Sequence, residues 1–186
     1  MRRILIAAWI CILAAVVASS WLYRRSTRFD FIIGQAAARH GVDFHLVKAL
    51  IYEESWFRPG IRGAAGEVGL MQITRAAAAD YTKRTGFPGY RPEQLLDPAL
   101  NVEIGCWYLK DSLTRYRNSP HPELFALLRY NAGETPTRNW LRLTLESPPP
   151  AGAEPETHFL SLVDYPKTRT YAGRILKRWR QQRYWF

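Results

Sequence analysis

The sequence predicts a mostly α, single-domain protein preceded by a separate apolar segment. Three observations carry that reading. Apolar residues recur at helical spacing along much of the chain, no stretch alternates convincingly enough to be a strand, and an uncharged run from Ile4 to Leu22 stands apart. With 186 residues, 47% of them hydrophobic, there is material for one well-packed core. No internal repeat is visible.

Met1-Arg2-Arg3 opens the apolar run and Tyr23-Arg24-Arg25 closes it. Its length just suffices to cross a bilayer as a helix, and a secretory signal shares the same charged start and apolar centre. Ala15, Ala18, Ser19 and Ser20 make only a weak cleavage site, and Trp21-Leu22 prolong the run. The expectation is a membrane anchor or signal at 1–25 ahead of an exported domain at 26–186.

Phe29 to His40 reads as an amphipathic helix with Phe31, Ile32, Ala36 and Ala37 inward, stopped at Gly41. Asp43 is a suitable N-cap for the next helix. There Leu46, Val47, Leu50, Ile51 and Glu54 share one face, and Glu53 lies about a hundred degrees round and should be wetter. Pro59 and Gly60 end that helix, and Gly60, Gly63, Gly66 and Gly69 make a loop. Ile73 to Arg84, rich in alanine, is helical again, and Gly86 to Pro92 is a turn region. A long helix runs from Asp97-Pro98 to about Tyr116, with Pro98 in its first turn. Pro122 to Asn131 forms a short helix with a stop at Gly133, and Thr137 to Leu143 forms another. The proline-rich stretch Ser147 to Glu156 should be an irregular loop. A last helix starts near Thr168 and carries Tyr171, Ile175, Leu176 and Trp179.

Of the two cysteines, Cys11 lies in the apolar segment, so no disulfide within the domain is available. The four histidines lack metal-site spacing, and neither a metal nor a cofactor is expected. A net charge of +10 suits a polyanionic partner such as anionic lipid, nucleic acid or an acidic wall polymer. The basic stretch from Arg174 to Arg183 is either a solvated helix face or a polyanion contact.

The chemistry concentrates between Tyr52 and Thr74. A carboxyl group on an apolar helix face is a candidate proton donor, because desolvation disfavours its charged form. Periodicity nominates Glu54. The glycine loop after it brings backbone close to a bulky ligand, which points to acid catalysis on an extended polar substrate. Glu67, inside that loop, is either a structural or solvated residue or a second carboxylate. Trp56, Trp107 and Trp140 are sugar-stacking candidates or core.

Four ordered blocks then carry a resemblance: Glu54 to Pro59, Gly66 to Ile73, Asn101 to Leu109, and Leu128 to Gly133. With a weaker fifth block, Tyr165 to Tyr171, they resemble the soluble lytic transglycosylase domain family across about Phe29 to Lys177. The resemblance implies a lysozyme-like α domain that cleaves the β-1,4 bond between N-acetylmuramic acid and N-acetylglucosamine in peptidoglycan, leaving a 1,6-anhydro product. By position it implies Glu54 as the catalytic glutamate and Met71, Gln72, Tyr130, Asn131 and Tyr171 as substrate-binding residues, with Tyr130 either positioning Glu54 or touching substrate; read from the residues alone, Met71 and Tyr171 are alternatively core side chains and Asn131 a helix cap. It further implies glycan strands as partner; the N-terminal helix adds a membrane partner, cell-wall or secretion machinery is a further expected partner, and no nucleic acid is expected, because the basic tail carries no recognised module. The implied location is the inner membrane with the domain in the periplasm, or secretion if the segment is cleaved. The chain departs from the family where a serine common in the loop is replaced around Gly63, at Lys167 where an acidic residue is usual, and two residues before Tyr165, where a proline is missing. A non-catalytic peptidoglycan-binding module and a hydrolytic lysozyme using Glu67 are the competing readings.

Overall fold

The computed structural model describes residues 2–88 and 91–183. It is helical throughout: α1 (Arg2–Thr27), α2 (Asp30–His40), α3 (Phe44–Ser55), α4 (Arg75–Thr85), a short 3₁₀ turn at Pro92–Leu96, α5 (Pro98–Arg115), α6 (Pro122–Ala132), α7 (Glu134–Glu146), α8 (Pro155–Ser161) and α9 (Pro166–Arg183). Among the described residues no named strand occurs. Two isolated bridges, Arg62 with Val68 and Val68 with Ile73, tighten the glycine loop. Part of the expected turn at Gly86–Pro92 lies outside the described residues.

Contacts run from α2 to α3, α3 to α9, α9 to α6, α6 to α5 and α5 back to α2. These five helices therefore close into a ring around one core, in which Ile33, Leu46, Leu50, Ile51, Ile104, Leu109, Leu124, Phe125 and Ile175 are buried. Asp43 caps α3 through Leu46 N–H (2.9 Å) and also accepts from Trp179 Nε1–H (2.9 Å). One carboxylate thus ties the start of α3 to the far part of α9. Arg129 is buried at the α5–α6–α7 junction, where it meets Asp111 (2.8 Å), Ser112 (2.6 Å) and Glu134 (2.8 Å). Charge pairs at such depth hold geometry because removing one partner strands the other. Cys106, on α5, is buried as well, and burial pushes its thiol pKa up to about 12.

Several expectations change. Phe31 is 75% exposed; Ile33 faces inward on α2 beside the expected Ala36 and Ala37, and Phe29, just before the helix, is buried with them. A shift of this size results from where the helix starts, since residues four apart share a face. Helix α3 stops at Ser55 because Trp56 turns left-handed (φ 50°), ahead of Pro59–Gly60. The proline-rich stretch ends earlier than expected: Pro155 starts α8, capped by the Glu154 side chain. Helix α9 begins at Pro166, and α7 extends from Glu134 to Glu146.

The apolar segment is helical, and its side chains at Trp9, Ile10, Leu13, Val17 and Tyr23 are exposed. Among the described residues no helix is long and apolar enough to cross a membrane, so the spanning anchor finds no support there. The basic α9 largely serves its own fold: Arg174 pairs with Glu53, Arg180 with Glu156, and Arg178 lies over the Tyr52 ring.

Candidate active site

Glu54 stands in the last turn of α3, where the packed face from Leu46 to Ile51 carries it toward the interior. Burial raises its carboxyl pKa from 4.5 to about 7; the Tyr171 hydrogen bond opposes the rise, and the charges of Glu53 and Glu67 add to it. Tyr171, on α9, donates its hydroxyl to Glu54 Oε1 at 2.6 Å. Burial and the neighbouring Glu54 hold the Tyr171 hydroxyl well above its ordinary pKa, so it stays a donor. A carboxyl poised near neutrality beside a fixed donor suits general acid and base work in turn. Glu53 is less wet than its helix position implied, with its side chain 16% exposed and paired to Arg174 at 3.2 Å.

A cavity of about 240 Å³ opens in front of Glu54. Gly63, Ala64, Glu67, Gln72 and Thr74 line one side, and Tyr130 and Asn131 the other. A larger groove of about 470 Å³ shares Thr74 with it and runs past Arg62, Arg75 and Glu93.

The loop wall is shaped by backbone. Val68 and Ile73 exchange two hydrogen bonds (3.1 and 2.9 Å), and Gly63 N–H donates to the Glu67 carbonyl at 2.8 Å. Gly69 has φ 83°, and a Cβ there would meet the Asn101 side chain and the Leu95 carbonyl. Asn101, fully buried on α5, donates to the carbonyls of Val68 (2.8 Å) and Leu95 (2.9 Å) and accepts from Met71 N–H (2.8 Å). Gln72 adopts φ 48° and donates to Gly69 O at 2.9 Å, which holds its amide at the cavity.

Of the residues expected at the site, Glu54, Gln72, Tyr130 and Asn131 do line one cavity. Tyr171 stands behind it and touches Glu54. Met71 is not among the residues that line the cavity. Its side chain is fully buried against Gly105, whose missing Cβ makes the space, so it belongs to the core. Its backbone carbonyl accepts the Tyr130 hydroxyl at 2.9 Å, so Tyr130 bonds the loop and Tyr171 bonds the glutamate. Trp140 is core and bonds Asp164, and Trp56, still exposed, contacts Arg25 and Trp21.

Sequence reasoning missed Asn101 and Thr168 as site-forming residues. Thr168 donates to Asn131 Oδ1 at 2.7 Å and so orients the cavity amide. Both lie inside blocks that carried the resemblance, which was the available signal. Among the described residues no group of three or more His, Cys, Asp or Glu could hold a metal ion.

Residues 31–148 match the transglycosylase SLT domain family. The soluble lytic murein transglycosylase of Escherichia coli K12 is 33% identical over 129 residues, covering 69% of this chain and 19% of that protein. Membrane-bound lytic murein transglycosylase F of Desulfosudis oleivorans is 36% identical over 115 residues, covering 60% and 23%. This chain thus spans about a fifth of the length of these relatives. The solved 70 kDa soluble lytic transglycosylase of Escherichia coli superposes with a TM-score of 0.73 at 28% identity, over 84% of this chain and 24% of that one. The family match takes in α3, the glycine loop and α6, and stops short of Thr168 and Tyr171. On helical fold, ordered blocks and matched residues together, the chain belongs to the transglycosylase SLT domain family.

Proposed function

We propose that the domain at 26–186 cleaves the β-1,4 bond between N-acetylmuramic acid and N-acetylglucosamine of peptidoglycan and leaves a 1,6-anhydro end. The observation that carries this reading is Glu54, with a pKa near 7, facing a cavity and hydrogen-bonded by Tyr171. Protonated Glu54 donates to the leaving oxygen as the C1–O4 bond breaks. The resulting carboxylate takes the proton of the muramic 6-hydroxyl as that oxygen bonds to C1. Tyr171 stabilises the carboxylate between the two steps. Gln72 and Asn131 offer amides to sugar hydroxyls and acetamides, and Tyr130 braces the loop wall.

The reading extends to the cell envelope. Relatives are named membrane-bound, and the exposed apolar residues of α1 support membrane attachment through residues 1–25 or export of the domain behind them.

Mass spectrometry of purified peptidoglycan treated with the chain, beside its Glu54→Gln variant, tests the proposal. Anhydro-muropeptides from the parent and at least a ~10³-fold loss in the variant are expected. Equal cleavage by both would remove Glu54 from the mechanism.

A further inference from the structure

We propose that Glu67 is a second catalytic carboxylate, which takes a proton from a water molecule attacking the anomeric carbon and so gives the enzyme a hydrolytic branch. The proposal rests on the cleavage reading above and adds a product to it.

Glu67 and Glu54 line the same cavity. Its volume of about 240 Å³ leaves room for a water, which takes about 30 Å³ in the liquid, beside a reacting sugar carbon. The Glu67 carboxylate is held there by the loop itself: Ala65 N–H donates to Oε2 at 3.0 Å, and Gly63 N–H holds the Glu67 carbonyl at 2.8 Å. The neighbouring Val68 is clamped to Ile73 in both directions. Oε1 is then the oxygen for the water.

Gly63 makes this arrangement possible. A Cβ at position 63 would collide with Glu67 Oε2 and crowd Gln72 Oε1. The absent side chain at 63 and the carboxylate at 67 therefore form one paired feature, and any larger residue at 63 expels the carboxylate from its place. A merely solvated loop glutamate would need neither the vacated space nor the amide contact.

The chemistry balances with water as co-reactant. Protonated Glu54 gives its proton to O4 as C1–O4 breaks. The water oxygen bonds to C1, and its proton passes to Glu67. The products are a reducing muramic end and a free 4-hydroxyl, and proton exchange with solvent resets both carboxyls. Two carboxyl groups flanking a water are the usual equipment of hydrolysing glycosidases. The muramic 6-hydroxyl and the water then compete for one activated carbon.

The test is the ratio of reducing to 1,6-anhydro muramic ends released from purified peptidoglycan by the full chain, with thermal melts of every variant. The parent should give both ends. Glu67→Gln should lower the ratio by at least about tenfold, and Gly63→Ala should lower it likewise although Glu67 is retained. Glu54→Gln should lose both products. A parent that yields anhydro ends alone, or variants at 67 and 63 that leave the ratio unchanged, overturns the proposal while the cleavage reading stands. A folded parent that yields neither end overturns the cleavage reading itself. The Gly63→Ala arm covers a Glu67→Gln variant that melts early, because its Cβ meets only the terminal groups of two side chains and no backbone.

Discussion

The two walls of the cleft are made by different means. The wall from Tyr130, Asn131, Thr168 and Tyr171 rests on regular helices, where Thr168 pairs with Asn131 across α9 and α6 and Tyr171 pairs with Glu54. The wall from Gly63 to Thr74 has no regular element, and it is held by backbone bonds and by one buried amide from α5, Asn101. The helical wall tolerates loss of single contacts because its backbone is satisfied without them. The loop wall concentrates its support at that amide, so damage there should be larger.

Asn101→Ala gives the sharpest break. It strands the Leu95 carbonyl and the Met71 N–H in the interior and leaves the Val68 carbonyl with Ile73 N–H alone, at a cost of about 3 kcal/mol. Urea denaturation should show that loss. A cost below about 1 kcal/mol would mean the loop supports itself.

Glu54 sits between the walls and carries opposite consequences for rate and stability. Its folded pKa of about 7 exceeds its ordinary 4.5, so the folded state binds the proton more tightly than the unfolded one. That stabilising contribution is complete below about pH 4.5 and is lost as pH rises through 7. Glu54→Gln should therefore be more stable than the parent at pH 8 by on the order of 2–3 kcal/mol, with the gap closing at pH 4.5. Chemical denaturation at the two pH values measures it. The parent's cleavage rate should fall as pH climbs past 7, because the acid is then ionised.

Gly105→Ala comes next. Its Cβ meets Met71, and over-packing should cost about 1–3 kcal/mol and disturb the loop through the Met71 carbonyl that Tyr130 holds. On the helical wall, Tyr171→Phe removes the contact that lowers the Glu54 pKa. Activity should drop about tenfold, and the alkaline limb of the rate profile should move to higher pH with the melt nearly unchanged. A limb that stays in place would deny Tyr171 its part in tuning the acid. Thr168→Val is the mildest, below about 1 kcal/mol in stability, with KM raised a few-fold and kcat kept. If it matches Asn101→Ala in effect, the contrast between the walls fails.

Much of this architecture is legible in the sequence, and the parts that escape have physical reasons. The positions of the main helices, the Asp43 cap and the inward face of α3 reflect local periodicity, which a helix imposes directly. The burial of Met71 is not readable, since an apolar residue beside a glycine loop suits a cleft wall as well as a core. Only Gly105, distant in the chain, decides it by leaving room. Asn101 and Thr168 are hidden for the same reason: each acts on a partner thirty or more residues away. Tyr130 and Tyr171 are both visible as candidates. Which of them reaches the glutamate depends on how α9 crosses α3, and helical spacing says nothing of that.

Cys106 gives the domain a built-in reporter. A thiol with a pKa near 12 and no exposed surface reacts negligibly while the ring of helices is closed. With Cys11 changed to serine, alkylation by an iodoacetamide reagent proceeds only through molecules whose α5 has come away. The labelling rate then counts opening events under native conditions. It makes the grip of Asn101 on the loop measurable at concentrations of denaturant too low to unfold anything.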